Sequence, residues 1–191
     1  MAEVLRFGVL GIGAMGTEHM RNIAAVPGGE VVAIADPHGP SIESGREISP
    51  EVAIHNDLDG LLARDDLDAL VIATPNHTHR EVVERAAGRG LHLLIEKPLC
   101  TTVQHCLELE AILEGYPGTV WVGMEYRYSP PVARLIEEVR RGATGEARPV
   151  RCGWWGFASI ASRSCRRWAT GTAFRGTPAA RWWRSAVTSS T

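Results

Sequence analysis

Three glycines near the N-terminus have a spacing that suits phosphate binding. Gly11, Gly13 and Gly16 form a GxGxxG pattern that follows a short apolar run and opens a helical segment. A tight turn, a close approach of the backbone to a ligand and close packing of helix on strand each favour a residue without a side chain. Free N–H groups at the start of the helix then attract an anion. The pattern therefore predicts a dinucleotide pyrophosphate site. It comprises Gly11, Ile12, Gly13, Ala14, Met15 and Gly16.

An acidic residue follows the second apolar run. Asp36 lies 20 residues beyond Gly16. A carboxylate at that place accepts a hydrogen bond from a ribose 2′-hydroxyl and repels a 2′-phosphate. Neither Pro37 nor His38 is an arginine that would compensate the repulsion, so we expect NAD as the cofactor. Loop residues elsewhere can override this preference, which leaves NADP open. The alternative is that Asp36 is only a turn residue before Pro37.

A polar run follows the third long apolar segment. It consists of Thr74, Pro75, Asn76, His77, Thr78 and His79. One interpretation places its backbone and polar side chains beside the cofactor. The other is a strand-to-helix turn with Asn76 or Thr78 as the N-cap. No cysteine or carboxylate with ligand spacing accompanies the two histidines, so we expect no metal site.

Lys97 is the only lysine of the chain and follows the fourth apolar run, between Glu96 and Pro98. Its ammonium group could donate a hydrogen bond to a substrate hydroxyl. That contact would stabilise the alkoxide that develops as a hydride leaves the carbon. The alternatives are an ion pair with Glu96 or a solvated turn, and composition alone does not decide between them.

The apolar and amphipathic segments alternate along the chain. Strands are predicted over 4–10, 31–35, 67–73, 91–95 and 119–122, and helices over 14–26, 41–47, 57–63, 78–88, 101–114 and 130–141. The strands are continuously apolar, which is typical of a parallel sheet that is covered on both faces. Right-handed crossovers then give a doubly wound α/β domain of the Rossmann type. Ligands of such a sheet bind at the carboxyl ends of its strands, where the residues discussed above lie.

The order and spacing of these motifs resemble the glucose–fructose oxidoreductase, inositol dehydrogenase and MocA family over about residues 4–150. The Glu96-Lys97-Pro98 motif separates this family from other dinucleotide-binding folds. The resemblance implies an NAD(P)-dependent oxidoreductase that acts on sugars, inositols or related polyols. It further implies that Lys97 is a catalytic residue in contact with the substrate, and that Asn76 and His79 lie near the nicotinamide. The cofactor-binding set that we predict also includes Thr74, Pro75, Glu96 and Lys97 itself.

The last 41 residues differ in composition from the rest. Residues 1–150 carry 13 Lys and Arg against 22 Asp and Glu, a net charge of −9, whereas residues 151–191 carry seven Arg and no acid. Five of the six Trp also lie there. This tail could be a nucleic-acid or membrane arm, a disordered tail, or the product of a shifted reading frame.

The third interpretation can be examined with the genetic code. Codons that encode the residues of the tail can be chosen and then read one base earlier. The resulting amino-acid sequence resembles the second domain of the family, including a histidine and an aspartate. Intact members use a histidine in that domain as proton acceptor, whereas all seven histidines here lie between His19 and His105. We therefore expect a frameshift near residue 150, a truncated substrate domain and little activity.

These observations lead to expectations about organisation and surroundings. We expect a dinucleotide-binding domain over 1–125, a linker helix and the start of the substrate domain over 126–150, and an aberrant tail over 151–191. The four cysteines have no paired spacing, which favours the reducing cytoplasm. The negative net charge of residues 1–150 weighs against binding to nucleic acid. The sequence has no run of 18 apolar residues, so we expect no membrane span. Intact family members form homo-oligomers, which stays open for this chain. A non-catalytic NAD-binding module is the alternative function.

Overall fold

The computed structural model describes residues 4–143 and 145. The chain divides into two units between Met124 and Glu125. In the second unit, a short 3-10 helix over Glu125–Tyr128 precedes helix α6, Pro130–Arg140. The assignment of residues 126–150 to the start of a substrate domain stays a prediction, and the predicted tail over 151–191 lies outside the described residues.

The first unit is built on a parallel sheet. Its strands are β1 (Leu5–Leu10), β2 (Gly29–Ala35), β3 (Ala53–His55), β4 (Ala69–Ile72), β5 (His92–Ile95) and β6 (Val120–Val122). The strands are ordered β3-β2-β1-β4-β5-β6, and every pair is parallel. The chain therefore winds outward in one direction from β1 and then in the other from β4. This arrangement confirms the predicted doubly wound fold and places its switch point between β1 and β4.

Helices connect successive strands of this sheet. They are α1 (Ala14–Ala25), α2 (Gly39–Ile48), α3 (Leu58–Leu62), α4 (His79–Ala87) and α5 (Val103–Ile112), with a 3-10 helix over Asn76–Thr78 before α4. Asp57 caps α3, since its side chain accepts a hydrogen bond from the Gly60 amide. Helix α5 is capped by Thr102, whose side chain accepts a hydrogen bond from the His105 amide.

The core explains why the strands are so apolar. All four residues of β4 are buried, and Leu70, Val71 and Ile72 have no exposed surface. Buried leucines from the flanking helices complete the core, among them Leu61 of α3 and Leu109 of α5, neither of which is exposed. Burial of one such side chain stabilises the fold by about 1.5–3 kcal/mol. The sheet edge that carries the polar loops therefore has a rigid support.

Strand β3 was not predicted from the sequence. It has only three residues, each half-buried, and it pairs with β2 alone at the edge of the sheet. A segment this short has no detectable period of its own, so its pairing with β2 decides its conformation.

None of the helices in the described part of the chain combines the length and the hydropathy that crossing a bilayer requires.

Candidate cofactor site

The turn after β1 requires glycine because two loops approach each other closely there. Gly11 has a φ of +88°, which side chains rarely permit, and a Cβ at this position would lie 2.6 Å from the carbonyl oxygen of Ala73. Ala73 follows β4, the strand next to β1 across the switch point. The first glycine of the motif therefore allows the loops after β1 and β4 to meet.

The third glycine allows helix α1 to pack against this turn. A Cβ on Gly16 would lie only 1.9 Å from the carbonyl oxygen of Gly11, so no side chain is compatible with the observed backbone. The contact brings the first turn of α1 directly over the end of β1. This close packing is the role that the GxGxxG spacing predicts for its last glycine.

The middle glycine, Gly13, differs from the other two because no packing contact within the protein requires the absence of a side chain there. Gly13 is the N-cap of α1, in an extended conformation that other residues adopt, and no side chain caps the helix. A Cβ at Gly13 would have no atom within 4 Å. The missing side chain thus leaves open space beside the free N–H groups of the first turn. This space fits a pyrophosphate, which a methyl group would obstruct.

Asp36 lies at the mouth of the glycine loop. Its Oδ2 accepts a hydrogen bond from the Ile12 amide at 2.7 Å, and its Oδ1 accepts one from the His38 amide at 2.8 Å. Each carboxylate oxygen has a second lone pair, so the group can still accept hydrogen bonds from ribose hydroxyls. The acid therefore joins the ends of β1 and β2 and is not merely a turn residue.

The remaining motif residues differ in what they offer to a ligand. The Ile12 side chain is 2% exposed and packs in the core, and its backbone amide is bound to Asp36, so Ile12 offers a phosphate no free donor. Ala14 and Met15 are exposed at the start of α1, as are Pro75 and Asn76 after β4. These exposed residues lie on the two loops that flank the switch point.

The loop after β4 forms a 3-10 helix in place of a side-chain cap. Thr78 donates a hydrogen bond to the Thr74 hydroxyl at 2.7 Å, and neither Asn76 nor Thr78 caps the following helices through its side chain. Thr78 is nevertheless the N-cap residue of α4, which confirms one of the two alternatives, whereas Asn76 lies inside the 3-10 helix. Because the Asn76 side chain is exposed at the carboxyl edge, it is available to a ligand.

His79 is fully buried. Its Nδ1 lies 2.9 Å from the carbonyl oxygen of Pro98, and its Nε2 lies 3.0 Å from that of Thr74. Both ring nitrogens therefore face protein groups. The ring therefore joins the loops after β4 and β5, and the expectation that His79 lies near the nicotinamide stays a prediction.

The segment after β5 contains one buried and one exposed charged residue. Glu96 is 6% exposed, and its Oε1 lies 2.8 Å from Nε2 of His19 on α1. Its Oε2 accepts a hydrogen bond from the backbone amide of Lys97 at 3.2 Å. Lys97 itself is exposed. The suggested ion pair between Glu96 and Lys97 is therefore wrong, because His19 takes the place of the lysine.

Sequence reasoning did not identify His19 as part of this site. It lies 77 residues from Glu96 in the chain and is half-buried on α1. The only sequence signal is its position one helical turn after Gly16, on the side of α1 that faces the sheet. Cys100, three residues after Lys97, is buried. Burial and the neighbouring thiol of Cys106 raise its pKa to about 11, so it is a poor nucleophile.

A family model matches the domain that carries this site. The family is described as an oxidoreductase family with an NAD-binding Rossmann fold, named GFO_IDH_MocA, and the match covers residues 5–124. The chain belongs to this family. Its membership confirms the resemblance seen in the motifs and the predicted cofactor class, NAD.

Curated relatives show how far the similarity extends. The inositol 2-dehydrogenase/D-chiro-inositol 3-dehydrogenase of Halalkalibacterium halodurans is 32% identical over 151 residues, which cover 78% of this chain and 43% of that protein. The 2,7-anhydro-N-acetylneuraminate hydratase of Mediterraneibacter gnavus is 35% identical over 157 residues, with 80% and 41% coverage. The chain thus spans less than half the length of these relatives.

Solved structures agree on the fold. The myo-inositol dehydrogenase of Lactobacillus casei, in complex with NAD(H) and myo-inositol, has a TM-score of 0.68 and 27% identity over 73% of this chain and 42% of its own. The apo scyllo-inositol dehydrogenase of the same organism has a TM-score of 0.69 at 19% identity, with 75% and 43% coverage. The second likeness concerns the fold alone.

Proposed function

We propose that this chain binds NAD across the switch point between β1 and β4. The observation that carries the proposal is the open space at Gly13, beside uncapped N–H groups of α1 and close to Asp36. The first turn of α1 holds the pyrophosphate, and the Asp36 carboxylate accepts hydrogen bonds from the adenosine ribose. A 2′-phosphate would meet the same carboxylate, so NADP binds more weakly than NAD.

We propose further that the domain serves hydride transfer between NAD and a substrate carbon that carries a hydroxyl group. When bound, the nicotinamide supplies the hydride acceptor. Lys97 is exposed at the carboxyl edge of β5, where its ammonium donates a hydrogen bond to the substrate oxygen. This hydrogen bond strengthens as negative charge develops on that oxygen, so it favours the transition state over the bound alcohol.

The substrate class follows from the family and not from a pocket in this domain. Sugars, inositols and related polyols present the hydroxyl groups that Lys97 would contact, and a relative and a solved neighbour are named as inositol dehydrogenases. Another relative is named as a hydratase, so the net reaction varies among similar chains. We propose a polyol or sugar substrate for the whole enzyme.

Turnover by the 191-residue chain is expected to be low. Residues 151–191 contain no histidine, aspartate or glutamate, so they offer no side chain of these types to accept the proton of the substrate hydroxyl. Loss of an acid–base group lowers a rate by about 10²–10⁴. Steady-state oxidation of myo-inositol by the purified chain measures this directly. A rate comparable to that of an intact dehydrogenase would contradict the expectation.

Calorimetric titration of the full chain with NAD and NADP tests the binding proposal, and Gly13→Ala sharpens it. The variant should fold as the wild type does, with a free energy of unfolding within about 0.5 kcal/mol, because its backbone is extended and the added methyl meets no protein atom. The added methyl should push the pyrophosphate away from the N–H groups of α1. Because losing one hydrogen bond to a charged group weakens binding about tenfold, the dissociation constant for NAD should rise by that factor or more.

Two outcomes would overturn the binding proposal. One is the absence of heat when folded wild-type protein is titrated with either nucleotide. The other is a Gly13→Ala variant that binds NAD as tightly as the wild type, since the open space would then have no ligand. Equal affinity for NADP and NAD would contradict only the role of Asp36.

A further inference from the structure

Glu96 is a carboxylate inside the protein at the edge where ligands bind. Its side chain is 8% exposed and that of His19 is 16% exposed. A carboxylate in such surroundings is costly unless donors are supplied to it. Two donors are present, one on each oxygen: the His19 ring at 2.8 Å and the Lys97 backbone amide at 3.2 Å.

The Glu96 carboxylate is also confined on a further side. A Cβ on Gly123, just after β6, would lie 3.1 Å from Oε1, which is closer than most side-chain contacts. The Gly123 amide donates a hydrogen bond to the carbonyl oxygen of Ile95 at 2.7 Å, which holds this glycine against the end of β5. Glu96 therefore lies between α1 on one side and the end of β6 on the other.

This confinement matters for Lys97 because little else holds the lysine. Its side chain is exposed, and no residue in the described part of the chain forms an ion pair or a hydrogen bond with its ammonium group. The point from which the side chain extends is therefore set by its own backbone. That backbone is held at its amide by Glu96, whose other oxygen is held by His19.

We propose that His19 is a positioning residue for Lys97. Through the Glu96 carboxylate it ties the lysine to α1, the helix whose first turn forms the proposed pyrophosphate site. The Lys97 backbone then keeps a fixed position relative to the first turn of α1. The inference deepens the proposed function and rests on the role given there to Lys97. Packing alone does not explain the pair, because apolar side chains would fill the same space without a desolvation cost.

A spectroscopic test is available because Lys97 is the only lysine. Reductive methylation with ¹³C-formaldehyde labels Lys97 and the α-amino group and keeps both charged. The Lys97→Arg variant identifies the lysine signal, because the α-amino signal alone remains in that variant. The label reports the surroundings of Lys97 in the full chain without any need for turnover.

The expected pattern separates positioning from simple packing. In His19→Phe, which fills the space without a donor, Glu96 and the Lys97 backbone lose their link to α1, so the Lys97 methyl signal should move away from its wild-type position. In His19→Gln, an amide N–H replaces the ring N–H, and the signal should stay near its wild-type position. Glu18→Gln, an exposed change on the same helix, is the matched control and should leave the signal unchanged.

A second variant covers the case in which the His19 variants do not fold. Glu96→Gln keeps the size of the side chain but has one acceptor oxygen for two donors, so the Lys97 signal should move partway. Circular dichroism and thermal unfolding establish which variants are folded. An unchanged Lys97 signal in folded His19→Phe or in folded Glu96→Gln would overturn the proposal, as would a His19→Gln variant that behaves like His19→Phe.

NAD titration keeps this proposal separate from the proposed function. In the wild type, NAD should shift the Lys97 signal. His19→Phe should still bind NAD by calorimetry, because its glycine loop is intact, but the NAD-induced shift of the signal should be lost. If the wild type binds no NAD, the proposed function fails, while the comparison of His19 variants without nucleotide still tests the contact. A full NAD-induced shift in His19→Phe would contradict the positioning role.

Discussion

The loops after β1 and β5 lie at the same edge of the sheet but are held in opposite ways. The glycine loop is shaped by missing side chains, since Gly11 and Gly16 each touch backbone where a Cβ would collide. The Lys97 segment is shaped by side chains from distant parts of the chain. His19 holds Glu96, and His79 holds the carbonyl oxygen of Pro98.

The difference shows how two kinds of precision are reached. Close backbone contact requires only small residues at the right spacing, and it leaves N–H groups free for an anion. Aligning a long exposed side chain such as that of Lys97 with a substrate costs conformational entropy. A fixed backbone keeps that cost small, because fewer bonds remain to be ordered. Buried hydrogen bonds to neighbouring residues supply that immobilisation.

The largest effect is expected where the glycine loop has no room. Gly16→Ala places a methyl carbon 1.9 Å from the Gly11 carbonyl oxygen, so the turn or the helix must move. We expect a loss of about 3 kcal/mol or more in the free energy of unfolding. Urea denaturation of Gly16→Ala beside Gly13→Ala measures the contrast. Equal stability of the two variants would show that the loop adapts and that close contact does not shape it.

A smaller loss is expected when the Lys97 segment loses one of its supports. His79→Ala removes a buried ring and leaves the carbonyl oxygens of Thr74 and Pro98 without its contact. We expect a loss of about 2–3 kcal/mol in unfolding free energy. The exposed neighbour provides the control, since His77→Ala should cost less than about 0.5 kcal/mol.

The two histidine variants also bear on the comparison of the loops. If His79→Ala and His77→Ala are equally stable, the buried ring does not hold the segment after β5. The role proposed for side chains in that loop would then be reduced to His19 and Glu96. A large loss in His79→Ala alone would support the distinction between the loops.

The smallest effect concerns the opposite end of β5. The hydroxyl of Tyr116 donates a hydrogen bond to the carbonyl oxygen of Leu91 at 2.5 Å, and burial raises the pKa of Tyr116 to about 12. Tyr116→Phe should lower the unfolding free energy by about 1 kcal/mol at neutral pH. The result would show whether side-chain support extends along the whole strand.

The pH dependence of the same variant follows from the raised pKa. The phenol is protonated in the folded protein up to about pH 12, whereas in the unfolded chain it ionises near its ordinary value of 10. Its contribution to stability is therefore complete below pH 10 and is lost between about pH 10 and 12. The difference between wild type and Tyr116→Phe should shrink over that range. A constant difference would contradict the effect of burial.

Much of the fold was predictable from local patterns. Five of the six strands were found because each is a continuous apolar run, and α1 and its glycine loop because the motif follows such a run. Asp36 was predicted to lie beside the loop because the carboxyl ends of neighbouring parallel strands share an edge. These features depend on residues close in sequence or on a rule of topology.

The errors have a common physical origin. Strand β3 depends on pairing with β2, and the burial of His79 depends on the carbonyl oxygen of Pro98, which is 19 residues away. Lys97 was one alternative for the partner of Glu96, but the structure provides His19, 77 residues away. In each case a contact across the sheet overrides the nearest candidate along the chain.

The sequence by itself determined the doubly wound fold, the glycine loop and the acid at its mouth, because periodicity and backbone sterics act over a few residues. Only the tertiary structure decided which buried groups satisfy one another at the Lys97 segment. A buried carboxylate takes whatever donor the folded chain brings within hydrogen-bond distance. That donor is His19, which the packing of α1 on the sheet places beside Glu96.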